Sequence, residues 1–384
     1  MRGKTVVIID EVSMMKKYQL AQLDKRLRVA KHIPDVVFGG VHIILVGDFL
    51  QLPPVGGSPL LKDPTSCGKR SKISANELAG YQLWHLFTTV VMLKESVRFR
   101  RDPEWGRGCQ QARLEVLTPE FVSIINSRVM TFADTLNPAK SNGELRTFVT
   151  PDNTTRVSIN SLFVSTAAKL LPEGEYPVRI VANFKGKLNG LHRSEVAMVM
   201  GLTDTKFGRM TPYLDLIIGM PIQVSQNVRA EKSVANGTLG YLEAIIYHPG
   251  TSFRLVQDSI ADMTVRVPSM PPPAVLVRIK RGDSAISMHG CSDAAIFPLL
   301  FYSQAYNPCD IALAGNMAGA PRSLSLRIQQ FPLVCAVSST VYKVQGETLD
   351  SMVVPEWRSK SAVANKKEQP YLLVSRVTTR DAFL

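Results

Sequence analysis

Two apolar, β-branched runs, VVII at residues 6–9 and VHIILV at 41–46, each lead into a carboxylate: Asp10 and Glu11 after the first, Asp48 after Gly47 in the second. Acids at the carboxyl ends of two buried-strand patterns constrain the chain more than any other feature. The stretch between them, YQLAQLDKRLRVAK, places Leu20, Leu23, Leu27 and Ala30 near the helical period. Strand, helix, strand is the unit of a mostly parallel sheet, which presents its ligand site at the carboxyl edge of the strands.

Beyond this unit, QLPPVGG at 51–57 reads as a loop, because Pro53, Pro54, Gly56 and Gly57 interrupt any regular element. KDPTSCGKRSKIS is a second loop, YQLWHLF a short helix, TTVVMLKES a strand, FVSIINSRVMTFA a helix, and NPAKSNGE at 137–144 a linker candidate. A strand at 145–149 precedes a loop and helix in TPDNTTRVSINSLFVSTAAKL. From about 175 to 325 the pattern changes to short runs cut by glycine and proline: YPVRIVANF, MPIQVSQNV, GTLGYLEAIIYH, SFRLVQ, MTVRVP and AVLVRIK. That spacing predicts a β-rich module rather than further βαβ units. PLVCAVSSTVYKVQG, LDSMVVP and YLLVSRV return to the α/β pattern.

Forty-five Lys and Arg against thirty-two Asp and Glu give a formal net charge of +13, which favours an anionic partner such as nucleic acid. The five cysteines, at 67, 109, 291, 309 and 335, are scattered and odd in number. They predict a reducing, intracellular compartment rather than a disulfide framework. His289 and Cys291, with Cys309 nearby, lack a second ligand pair at zinc-site spacing, so no metal cluster is expected there. No apolar run reaches membrane-spanning length, and no membrane partner is expected.

In an Asp-Glu pair at a strand end, one carboxylate can hold hydrated Mg²⁺ while the other orients or deprotonates an attacking water. By itself the pair fits a solvent-facing strand end equally well. VHIILVGDFLQLPPVGG at 41–57 tips the balance. With the segments below, the two stretches resemble the petite-integration-frequency type of superfamily 1B DNA helicase, rolling-circle-transposon relatives included. The resemblance implies that Asp10 reaches Mg²⁺, that Glu11 is the catalytic base, and that Gln51 senses the γ-phosphate of ATP. LKESVRF at 93–99 resembles motif four, with Arg98 approaching the γ-phosphate. STVYKVQGETLD at 339–350 and YLLVSRV at 371–377 resemble motifs five and six, with Arg376 in the arginine-finger position. Asp48, Gln345 and Gly346 join Asp10 as implied nucleotide-binding residues.

For the DNA track the implied residues are Thr340, Tyr342 and Lys343, with Pro53, Asn153 and Thr154. Backbone contacts suit a motor that steps along any sequence. Tyr342 is equally suited to stacking on a base and to simple packing. LIIGMPIQVSQNV and VANGTLGYLEAI resemble the segment around the family's NGT-x-G turn, here carried by Asn236 and Gly237.

The fold expected is therefore α/β: tandem RecA-like P-loop NTPase domains, the first one incomplete over 1–89 and the second over 90–384, with a β-rich accessory insertion around 175–325. The activity implied is ATP- and Mg²⁺-dependent 5′-to-3′ helicase action on single-stranded DNA and duplex junctions, in DNA repair, recombination or element replication. A nuclear location is compatible with the same resemblance, and the residues themselves name neither a compartment nor a stable protein partner. One expected part is missing. No G-x-x-x-x-G-K-[ST] loop occurs in residues 1–384, and RGKT at 2–5 lies directly before the Asp-Glu strand with no room for the helix such a loop opens. The chain is accordingly expected to start before motif two without the phosphate loop, and to turn over little ATP alone. Motif five departs from the family's T-x-H-K-S-Q-G, with Tyr342 and Val344 in place of a histidine and a serine. The alternative reading is a non-catalytic DNA-binding remnant of such a helicase.

Overall fold

The structure is a computed structural model that describes residues 3–65, 74–130, 146–186, 188, 191–229, 234–279, 293, 295–301, 306–313, 322–357 and 368–384. Cys67, His289, Cys291 and the linker candidate at 137–144 lie outside the described residues. Contacts gather the chain into two compact units, residues 1–140 with 344–384 and residues 141–343. The boundary at 89 read from the sequence falls inside the first of them.

In the first unit, β1 (Val6–Ile9) and β2 (His42–Leu45) pair in parallel, with Val6 opposite His42 and Ile9 opposite Leu45. The connection is α1 (Lys17–Lys31), which buries Leu20, Ala21 and Leu27 and ends at His32 in the left-handed region. α1 and α2 (Ala75–Trp84) cover one face of the strand pair, where Val7, Ile43 and Leu45 meet Val12, Leu60 and Leu83. The other face is bare: Val6, Ile44 and Val46 are exposed, and Ile8 is 66% exposed. Strands apolar on both sides belong to sheets covered on both sides, and here only one cover is present among the described residues.

The strand expected in TTVVMLKES does not form; residues 88–96 have no regular structure, and Val90, Val91, Met92 and Leu93 are exposed. β-branched residues suit extended backbone, but a strand is stabilised by its neighbours. None of the described residues pairs with this stretch.

Next come α3 (Pro103–Arg113), capped by Asp102, and α4 (Pro119–Asn126), capped by Thr118. YLLVSRV, read as part of the return to the α/β pattern, is the end of a helix, Gln369–Val374, with the turn that follows it. Trp105 is fully buried, with its ring 5.1 Å from those of both Phe121 and Phe383.

Asp102 does two jobs: it caps Trp105 N–H at 3.0 Å and accepts two bonds from the Arg380 guanidinium, at 2.7 and 2.8 Å. The bonds from Arg380 hold its carboxyl well below the ordinary range. A carboxyl with a depressed folded pKa stabilises the fold above its unfolded pKa of about 3.9 and loses that contribution as pH falls toward the folded value. Asp102→Asn keeps the cap and removes the charge. It is expected to lower stability at pH 7 by about 1–3 kcal/mol and to flatten the loss below pH ~4, measured by urea unfolding at a series of pH values.

In the second unit, β3 (Thr147–Thr150) pairs in parallel with β16 (Ser338–Thr340). α5 (Asn153–Ala168), capped by Asp152, packs beside them, and Asn160 bonds the backbone of Cys335 and Ser338. The β-rich module predicted from about 175 to 325 is present. It comprises β4 (Val178–Val181), β5 (Asn183–Gly186), β6 (Tyr213–Leu216), β7 (Pro221–Val224), β8 (Leu239–Ile246), β9 (Phe253–Asp258), β10 (Met263–Pro268), β11 (Ala274–Ile279), β12 (Ile296–Leu300), β13 (Asn307–Leu313) and β14 (Arg322–Gln329), with α6 (Arg193–Met200) inserted.

With β15 (Leu333–Cys335), these strands form sheets of order β12-β11-β8-β7-β15, β6-β4-β10-β9 and β13-β14-β5. The first two share an apolar core: Ile222, Leu242, Val275 and Leu299 meet Ile180, Leu216 and Val265. Among the described residues each sheet is open and keeps its edge strands, so they close no barrel. Among the described residues no helix is long and apolar enough to cross a membrane.

Candidate nucleotide site

The site starts where β1 stops. Glu11 takes the left-handed conformation, φ 54° and ψ 43°, which non-glycine residues seldom adopt outside constrained sites. Asp10 Oδ1 accepts the Glu11 N–H at 2.8 Å, and a 3₁₀ turn, Val12–Met14, follows. Val12 N–H donates to Val46 O at 3.0 Å, which ties this turn to the end of β2. Gly47 allows that approach, since a Cβ there would stand 2.8 Å from Val12 N. Asp10 is left exposed and Glu11 half-buried at the carboxyl edge of the sheet. Gly3 to Thr5 run straight into β1 with no helix after them, so the GKT they contain opens no phosphate loop.

Glu11 meets residues from the far end of the sequence within the same unit. Gln345 Nε2 donates to Glu11 Oε2 at 2.8 Å and lies 3.4 Å from Ser13 Oγ. Gly346, at φ 80°, sits so close that a Cβ would stand 3.1 Å from Glu11 Oε1. The side-chain oxygens of Gln345 and Gln51 are both buried without a partner.

Arg98 donates to Ser375 O at 2.8 Å, and Arg376 donates to Ser375 Oγ at 2.8 Å. Arg376 is 2% exposed, and its Nε has no partner. Burial, reinforced by the positive charge of Arg98, pushes the Arg376 pKa down to about 10. Two guanidiniums are thus held together, and among the described residues neither makes an ion pair.

Such an arrangement is stabilised by an anion with several oxygens. Mg²⁺ in nucleotide sites is held by one or two carboxylates and the substrate phosphates, and the exposed Asp10 offers one. The donor set therefore fits a magnesium triphosphate.

Asp48, expected to bind nucleotide, has both oxygens engaged by Arg113, at 2.7 and 2.8 Å. Burial works against its charge, but the bonds from Arg113 outweigh it and hold the carboxyl below its ordinary range. Arg113 was not legible in the sequence, where it is one cation among forty-five with no motif around it. Pro53 is half-buried in the loop anchored by buried Leu52 and Pro54.

The other DNA candidates lie in the second unit. Asn153 and Thr154 are exposed on the first turn of α5, where Asn153 Oδ1 accepts from Arg156 Nε at 3.1 Å. The Thr340 side chain is buried, at 6% exposure, and Tyr342 is half-buried. Lys343 Nζ donates to Gln223 Oε1 at 2.8 Å. Burial, with the charges of Arg156 and Arg209, lowers the Lys343 pKa to about 8.

The sequence model of the PIF1-like helicase family matches residues 1–113. Among curated proteins, the chain is 48% identical over 67 residues to the ATP-dependent DNA helicase PIF1 of Trypanosoma brucei brucei, covering 17% of the chain and 7% of that protein. It is 29% identical over 133 residues to the ATP-dependent DNA helicase PIF1 of Emericella nidulans, covering 34% and 16%. The matches thus span less than a fifth of these relatives' own lengths. Among solved structures, the Pif1 helicase from Candida albicans superposes with a TM-score of 0.58 at 20% identity, over 100% of this chain and 71% of that one. The Pif1 helicase from Bacteroides in complex with ADP-AlF3 and single-stranded DNA gives 0.55 at 18% identity, over 99% and 70%. The fold is that of these helicases with their RecA-like domains.

Proposed function

We infer that the chain is a helicase of the Pif1 type of superfamily 1B, an ATP-driven motor that moves 5′ to 3′ on single-stranded DNA and separates duplex ahead of it. The observation that carries this reading is that Gln345 and Gly346 close on Glu11 while Arg98 and Arg376 meet at Ser375 in the same compact unit, where the Glu11 charge is felt at Arg376. Phosphoryl transfer asks for a base beside the attacking water and for fixed positive charge where the transferred group gathers negative charge.

In this reading Glu11 takes the proton from water, and Gln345 holds its carboxylate in one orientation. Arg376, desolvated and next to Arg98, presents its guanidinium to the phosphates. Mg²⁺, held by Asp10, would neutralise charge on the phosphates. Gln51, with its buried oxygen unpartnered, senses the bound nucleotide. Repair, recombination or element replication in an intracellular, nuclear setting belongs to the same reading.

A second reading, a DNA-binding module without turnover, is favoured by the absence of a G-x-x-x-x-G-K-[ST] segment within the 384 residues. One experiment separates the two. Duplexes with a 5′ or a 3′ single-stranded tail are incubated with Mg²⁺, ATP and the chain, alone and joined at its start to a strand-and-helix segment carrying that loop. Unwinding of the 5′-tailed duplex by the joined protein is the expected result. Tight binding with no unwinding in either form establishes the second reading, and absence of both binding and unwinding overturns the two together.

A further inference from the structure

In the second unit, away from the nucleotide site, Gly208, Arg209, Ser225, Gln226, Asn227, Asn236 and Asn307 line an open hollow of about 340 Å³. Its chemistry is unusual for a surface depression: amides, a hydroxyl and one guanidinium, with no carboxylate among the described lining residues. Arg209 is held in the left-handed region, φ 69°, by its N–H bond to Asp204 O at 2.8 Å. A non-glycine residue kept there is costly, and such strain gathers at functional sites.

Around the hollow the side chains brace one another. Asn236, in the amide orientation that satisfies both neighbours, accepts from an Arg209 Nη at 2.6 Å and donates to Ser225 O at 3.1 Å. Asn227 Oδ1 accepts from Asn236 N–H at 3.0 Å, and Gln226 Nε2 donates to Gly208 O at 3.1 Å. Ser225 is 1% exposed, and its hydroxyl has no partner. An unpaired buried hydroxyl costs free energy unless a ligand meets it.

The local charge count points to the ligand. The buried Arg156 pairs with Asp204, so that carboxylate is committed. Among the described residues the Lys343 ammonium bonds the neutral Gln223, and the Arg209 guanidinium the neutral Asn236. Burial is the first cause of the lowered Lys343 pKa, and the charges of Arg156, Asp204 and Arg209 all reach it. Among the described residues neither Arg209 nor Lys343 has an ion pair of its own, and both stand by neutral amides.

We propose that this hollow is a binding site for one phosphate group of a single-stranded nucleic-acid backbone, with Arg209 as its charged contact and Asn227, Asn236, Gln226 and Ser225 as its neutral ones. The proposal rests on the DNA-binding reading above and adds to it residues outside the DNA track read from the sequence, where Asn236 served only as a turn former. Phosphate recognition of this kind carries no base information, as a strand-tracking surface requires.

The test is anisotropy of a fluorescent single-stranded oligonucleotide bound to the full 384-residue chain at a series of salt concentrations. Arg209→Gln, which removes the charge and keeps a polar side chain, is expected to weaken binding by roughly tenfold. It should also reduce the slope of log affinity against log salt by about 0.7. Asn236→Asp keeps the turn chemistry and introduces a negative charge, and is expected to weaken binding at least as much. Circular dichroism establishes that both variants fold, and titration with inorganic phosphate distinguishes a free-ion site from a backbone site. Oligonucleotide binding unchanged in both folded variants overturns the site alone. Displacement of the oligonucleotide from the unmodified chain by millimolar phosphate overturns the backbone assignment. An unmodified chain that binds no oligonucleotide overturns the site together with the DNA-binding reading.

Discussion

Purified as its 384 residues, the protein is expected to hydrolyse ATP at the background rate, with Mg²⁺ and single-stranded DNA present, and Glu11→Gln is expected to leave that rate unchanged. The unit around β1 holds Glu11, the Gln345 amide bonded to it and two arginines joined at Ser375. What residues 1–384 do not contain is a G-x-x-x-x-G-K-[ST] loop, whose backbone amides fix the α- and β-phosphates and whose lysine reaches the β- and γ-phosphates. Alignment of the reacting groups contributes as much as ~7–11 kcal/mol to a barrier. Forfeiting even half of that slows turnover by about 10³-fold or more. Phosphate release is the measurement. A robust rate that disappears in Glu11→Gln would show that phosphates are positioned by other residues, and the assignment of the missing part would fall.

The second large effect is on stability. Trp105→Ala is expected to cost about 3–5 kcal/mol, the usual range for emptying a fully buried aromatic site. Trp105 is completely buried and packs at a tilt between Phe121 of α4 and Phe383 near the chain end. α3, α4 and the final turn therefore share one anchor. Its indole N–H has no partner, so Trp105→Phe loses volume but no hydrogen bond, and is expected to cost less than half as much. Urea unfolding followed by far-ultraviolet circular dichroism measures both. Equal costs for the two changes would show that the indole's extra volume, rather than the shared ring contact, fixes these helices.

The legible parts of the fold are those written locally. β1, α1 and β2 follow from a β-branched run, a leucine period and a second β-branched run. From Val178 to Ile279, β4 and β7 to β11 follow from short apolar runs between glycines and prolines, whereas β6, with Asp215 inside it, lies in none of those runs. TTVVMLKES misleads because its composition is that of a strand while the neighbour a strand requires is absent from the described residues. α6 is hidden because RSEVAMVM sits among strand-like runs and is too short to declare its period.

At the site, Asp10, Glu11, Gln51, Arg98 and Arg376 are legible through motif order. The bond from Gln345 to Glu11 spans 334 positions, and nothing in either segment encodes the partner. Asp48 shows the same limit from the other side: a carboxylate in a recognisable phrase is claimed by Arg113, which stands in none. Arg209 is read only from its backbone angle and its lack of a carboxylate, and neither is a property of its neighbours in sequence.

The bare side of β1 and β2 has one more consequence. Val6, Ile8, Ile44 and Val46 form a small greasy plane beside an open strand edge. Natural sheets blunt such an edge with charge, proline or a covering helix. The attraction of such a plane for another like it is entropic near room temperature and fades on cooling. Among the described residues nothing blunts this edge or covers this plane, so whatever contact the plane makes is one whose strength falls as the temperature is lowered, unlike the bond from Gln345 to Glu11.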